Sequence, residues 1–157
     1  MMSVTIVCLW ALVIALGIQL GAGIFETRVL VPLWAADPPA SVSAYFTQQR
    51  RPDSGKRLWM ILTPVTAIIS LLNLVLAFSS AESWRLWWLV AASCSVAVMV
   101  ATFAYFVPVL RYLERVAAVP PEAVAGKVRT WVVLNYLRAA VLVVAWIAAL
   151  RAFAYAA

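Results

Sequence analysis

Four apolar stretches, at about residues 4–25, 58–78, 86–109 and 131–150, decide what this chain can become. Each is close to the roughly 20 residues that an α-helix needs to cross a hydrocarbon core of about 30 Å. Inside lipid, a helix is also the form in which a single segment satisfies its own backbone polar groups. Composition agrees: 66% of the 157 residues are hydrophobic, 11% are charged and mean hydropathy is +0.99, more apolar surface than a water-soluble domain of this size can bury. The expectation is an all-α membrane protein forming one transmembrane domain over residues 1–157, an antiparallel, up-down four-helix bundle. The opening segment "MMSVTIVCLW" lacks the basic region of a signal peptide and is expected as a retained span.

The net charge of +6 follows topology rather than a nucleic-acid patch, so no nucleic-acid partner is expected. Arg28, Arg50, Arg51, Lys56, Arg57, Arg111, Arg115, Lys127 and Arg129 all fall in or beside the two longer loops, whereas only Arg85 and Arg151 flank the opposite ends of the spans. The positive-inside rule then puts the long loops in the cytoplasm and both termini outside a bacterial inner membrane. Cys8 and Cys94 make no metal motif and read as small apolar residues, although a disulfide between them is sterically conceivable.

Tryptophan prefers the headgroup level, so Trp34, Trp59 and Trp131 are expected at the loop side and Trp84, Trp87 and Trp88 at the other. In "DPPASVSAYFTQQRRPDSGKR", Pro38 and Pro39 favour the start of a short helix over residues 40–49, and Pro52 to Gly55 its end. Such a helix would lie at the membrane interface, with Val42, Tyr45 and Phe46 toward lipid or the bundle. Pro64 and Pro108 lie inside spans, where each removes a helical hydrogen bond and invites a kink.

Every span carries one polar stripe at helical spacing. These are Gln19, Gly23 and Glu26; Thr63, Thr66, Ser70 and Asn73; Ser95, Thr102 and Tyr105; and Trp131, Asn135 and Arg138. The stripes should converge in the bundle interior, where most hydroxyls simply pack helices. Asn73 reads as interhelical glue. Arg138 is the outlier, because a cation at that depth costs at least about 2.5 to 3.5 kcal/mol unless paired or hydrated. Seven residues into its span, it sits about 10 Å below the helix start, and Glu26 is the acidic residue at matching depth. An ion pair between them, supported by Asn135 on the same face, is expected. With Tyr105 it would form a polar cluster opening at the loop side.

The chain contains no histidine, which removes Ser-His-Asp triads, His-ligated haem and zinc-protease helices. Its six carboxylates are scattered, mostly over loops, so neither a protein-only metal site nor a cofactor is expected.

"GAGIFETRVLVPLW", "FAYFVPVLRYLE" and "VRTWVVLNYLRAAV" resemble a family of small four-span bacterial membrane proteins related to the anthrone oxygenases. The matching positions are Gly21, Gly23, Phe25, Glu26, Pro32, Trp34, Pro108, Trp131, Asn135 and Arg138. The resemblance implies a four-helix membrane bundle; the oxygenase branch oxidises an activated aromatic carbanion without an obvious cofactor. That branch tends to place His after the Asn of the last helix, where this chain has Tyr136.

Together these readings give an expected cofactor-independent oxidoreductase acting on a lipophilic aromatic or quinone-like compound. Glu26 would be the general base, Arg138 and Asn135 the stabilisers of an enolate or phenolate, and Tyr105 a phenol beside them. Trp131, Thr63 and Thr66 are the candidates for substrate contact. The alternatives are a noncatalytic subunit of a membrane oligomer or complex, and a small proton-coupled transporter, against which a cation beside Glu26 argues.

Overall fold

A computed structural model describes residues 4–48, 54–115 and 121–156. All described elements are helical. We number them α1 (Val4–Ala35), α2 (residues 40–48), α3 (Ser54–Ser79), α4 (Arg85–Leu113) and α5 (Pro121–Ala156). Four of them, α1, α3, α4 and α5, are long and apolar enough to cross a membrane. Each packs on the next in chain order and α5 closes against α1. The chain is thus a multi-pass membrane protein. For convenience, the end of the bundle that carries α2 is termed the loop end, and the other the terminal end.

The spans run longer than their apolar stretches. At about 1.5 Å per residue, the 36 residues of α5 reach about 54 Å, well beyond the hydrocarbon core. The early turns of α5 are amphipathic rather than apolar: Val124 and Val128 are buried while Lys127 and Arg129 are exposed. Pro121 stands at the helix start, where its missing N–H costs nothing, and Glu122 in the first turn favours the helix dipole. A hydropathy threshold cannot register such an extension.

Two apolar clusters hold the bundle. Toward the terminal end, leucines of α1 (Leu9, Leu12, Leu16) meet Trp84 and Trp88 of α4 and its approach, and the small residues Ala145, Ala148, Ala149 and Ala152 of α5. Small residues let helix backbones approach, which is how packing stabilises a bundle in lipid. Gly17 marks one such approach: a Cβ there would stand 3.2 Å from Trp146 Nε1, the atom that donates to Val13 O at 3.2 Å. Asn73 accepts from Trp88 Nε1 at 2.9 Å and donates to Ile69 O, so it does bind helices together. Ser70 and Ser95 bridge the same pair of helices at 2.5 Å. Arg85 closes α3 by donating to Ala77 O and Phe78 O, two carbonyls its last turn leaves open. Cys8 and Cys94 are free thiols.

The second cluster fills the loop end. Here α2 folds back so that Val42 and Tyr45 are buried with Trp34 of α1, Phe106 and Val109 of α4, and Trp131 of α5. The aromatic residues of α2 therefore face the bundle. Gln49 and the Pro52–Asp53 stop signal lie outside the described residues, as do Arg50 and Arg51, but Ser54 and Gly55 open α3 rather than ending α2.

Trp34, Trp84, Trp88 and Trp131 are buried within the bundle. Their rings pack edge-on or tilted at about 5 Å, Trp34 against Trp131 and Trp84 against Trp88. Pro64 leaves α3 α-helical throughout, whereas wider π-helical turns precede Pro32 (Glu26–Leu30) and Pro108 (Thr102–Phe106). A proline deprives the carbonyl four residues earlier of its donor and crowds it; widening the turn is one way for the helix to continue.

Candidate functional site

The two π-helical turns flank one polar cluster. In the first, consecutive residues Glu26 and Thr27 are both buried, which the wider turn of a π-helix makes easier than α geometry would. In the second, Thr102 and Phe106 are buried. Arg138, on α5, lies between them.

Its guanidinium is anchored on three sides. Nη2 donates to Asn135 Oδ1 at 2.6 Å, one turn earlier on the same helix. Glu26 Oε2 stands 3.7 Å from the same nitrogen, forming the ion pair, with both side chains largely enclosed. The ring of Phe106 lies beneath, 4.3 Å from Cζ, in cation–π contact. Asn135 in turn donates from Nδ2 to Thr27 Oγ1 at 2.8 Å, and Thr27 donates to Gly23 O at 2.7 Å. A chain of hydrogen bonds thus runs from the cation across to the backbone of α1, and Asn135 is engaged at both ends of its amide. Its geometry is that of a residue holding Arg138 in place.

Two spaces border the guanidinium. Between α4 and α5 lies an apolar groove of about 200 Å3, walled by Val98, Ala101, Tyr105, Phe106 and Leu134, with Arg138 on its lining. Its rim residues Ala97 and Leu137 are exposed on the lipid-facing side of the bundle. On the inner side is a cavity of about 20 Å3 bordered by Gln19, Gly23, Thr27, Trp59, Asn135 and Arg138, among others.

Of the residues singled out from sequence, Glu26, Asn135 and Arg138 come together directly, and Tyr105 joins Arg138 on the groove wall. Glu26 borders neither space. Trp131 is 1% exposed and packs against Trp34 and Phe106 behind the groove, with no hydrogen-bond partner for Nε1 among the described residues. Thr63 and Thr66 are buried on α3 but line neither space. At the loop end, among the described residues, Trp34, Tyr45, Phe106 and Trp131 pack into one aromatic layer beside the cluster, with Phe106 touching Arg138 directly.

Sequence reasoning passed over Thr27 and Phe106. Thr27 is one turn beyond Gly23, so helical spacing alone could have found it, but choosing Glu26 for that face hid it. Phe106 carried no signal to separate it from other apolar residues of its span. No group of three or more His, Cys, Asp or Glu able to hold a metal ion occurs among the described residues.

No curated protein and no solved structure matches the chain. The sequence profile of the anthrone oxygenase family matches residues 53–148, more than half of the chain, taking in α4 and the part of α5 that carries Trp131, Asn135 and Arg138. With a four-span helical bundle around that cluster, the chain belongs to the anthrone oxygenase family.

Proposed function

We propose that this protein is a membrane enzyme that oxidises a lipophilic aromatic or quinone-like compound bearing an oxygen that becomes anionic, with dioxygen as the oxidant. The observation that carries the reading is the position of Arg138, a cation on the wall of an apolar groove whose rim faces the bilayer. A low-dielectric site with a preorganised cation stabilises an oxyanion far more than water-exposed charge does. Phe106 and Tyr105 offer aromatic surface to a planar ring.

In the reaction that fits, Glu26, which borders neither space at rest, reaches the substrate only as Arg138 turns from it toward the forming enolate oxygen, and the proton then passes from the substrate carbon to the freed carboxylate. The charges then exchange partners inside the bundle and no net charge is created. The enolate carbon reduces dioxygen, a C–O bond forms, and the resulting peroxide anion takes the proton back from Glu26. Where the carbon carried a second hydrogen, loss of water from the hydroperoxide gives the ketone, so one dioxygen is consumed per product and per water. Asn135 and Thr27 keep Arg138 aimed at the groove. The family name makes anthrone a natural first probe.

The distribution of Arg28, Arg57, Arg111, Arg115, Lys127 and Arg129, all exposed toward the loop end, supports a cytoplasmic loop end and outward termini in an inner membrane. The test of activity is oxygen uptake by the protein in lipid nanodiscs given anthrone. Ala97→Trp, at the exposed rim, should abolish protein-dependent uptake while thermal stability stays near the parent's. Full activity in that variant would refute the groove as the substrate site.

A further inference from the structure

The small cavity on the inner side of Arg138 has a property the groove lacks. Polar groups interrupt its mostly apolar lining, and one of them has no partner: Gln19, 4% exposed, lines the space, and its Oε1 meets no donor among the described residues. The other end of the same amide, Nε2, reaches only Met99 Sδ at 3.9 Å, a weak acceptor. Gln19 lies seven residues before Glu26, about 10 Å deeper along α1, where lipid offers no donor. Arg138 also lines the space, and its guanidinium carries five N–H donors, of which Asn135 takes one by Nη2.

We infer that a single water molecule binds in this cavity, donating to Gln19 Oε1 and accepting from an N–H of Arg138. Volume supports one occupant of that size: about 20 Å3 exceeds the roughly 10 to 15 Å3 that a water needs and leaves no room for a second. Chemistry supports water rather than an apolar gas or a lipid methyl, because the unpartnered Gln19 carbonyl needs a donor and Gln19, Thr27, Asn135 and Arg138 all border the space. An anion is disfavoured by the Gln19 carbonyl and a cation by the guanidinium. The water extends the hydrogen-bond chain from Gly23 O through Thr27, Asn135 and Arg138 to the middle of the bundle. The inference does not depend on the reaction proposed above.

The experiment is nuclear magnetic resonance on protein labelled with 15N-glutamine in nanodiscs. The chain has three glutamines, Gln19, Gln48 and Gln49, and the Gln19 side-chain resonance is identified by its loss in Gln19→Met. A cross-peak from water to the Gln19 carboxamide, with the NOE-to-ROE ratio of a water tumbling with the protein, is expected; its absence overturns the site. Thermal unfolding gives a second reading, with opposite signs for the two cases. If the cavity holds water, Gln19→Met removes a satisfied amide and lowers Tm. If it is dry, the same change removes an orphaned carbonyl and raises Tm, which overturns the inference.

Discussion

Replacing Arg138 by Met should cost far more than replacing Arg138 and Glu26 together. At 3.7 Å and an effective dielectric constant of about 20, Coulomb's law gives the pair a gross attraction of about 4.5 kcal/mol. Arg138→Met forfeits that attraction and takes from the buried Glu26 carboxylate the cation paired with it. Breaking a buried pair from one side costs about 3 to 5 kcal/mol. The double variant Glu26→Gln/Arg138→Met removes both charges of the pair. What it still loses is the 2.6 Å bond to Asn135, worth about 1.5 to 3 kcal/mol for a charged partner. What it saves is the cost of holding a cation at that depth, about 2.5 to 3.5 kcal/mol. The two terms nearly cancel, so the double variant should recover at least about 2 kcal/mol relative to Arg138→Met, as expected when a buried pair is replaced as a unit. Reversible unfolding in bicelles titrated with SDS, followed by tryptophan fluorescence, measures all three proteins. A double variant no more stable than Arg138→Met would refute the coupling, as would an Arg138→Met protein within about 0.5 kcal/mol of the parent, given the one-sided cost above.

Gly17→Ala should be less stable than Gly21→Ala by about 1 to 3 kcal/mol, because both gain the same helix propensity but only the first meets Trp146; the same unfolding assay decides it. Asn73→Leu should cost about 1 to 3 kcal/mol by orphaning the buried Trp88 indole. Adding Trp88→Phe should cost less in the Asn73→Leu background than alone, and strict additivity in that double-mutant cycle would remove the bond from the account.

The spans and the pairing of Arg138 were legible because both rest on quantities that sequence spacing carries: apolar length, and depth along a helix. Glu26 and Arg138 sit at matching depths whatever the details of packing, and the Asn135 to Arg138 spacing puts both on one face. Thr27 lies four residues beyond Gly23, within helical spacing of that stripe; what spacing does not carry is its bond to Asn135, which depends on how α1 and α5 are set together. The burial of the tryptophans was not legible, because an indole can face the headgroup layer or pack in an aromatic cluster, and for Trp34 and Trp131 the packing depends on where α2 folds. The groove was equally hidden, since Ala97, Ala101 and Leu137 become its rim and walls only when α4 and α5 are brought side by side.

The exposed rim of the groove also has a kinetic meaning. If, as proposed, a lipophilic compound enters the groove by its exposed rim, the concentration that matters at Arg138 is moles of compound per mole of lipid. Adding inert lipid at fixed total compound would slow occupancy of the groove, and a poorly water-soluble molecule would saturate it at bulk concentrations that measure little beyond its partition coefficient. For a protein built this way, the membrane is the reagent bottle.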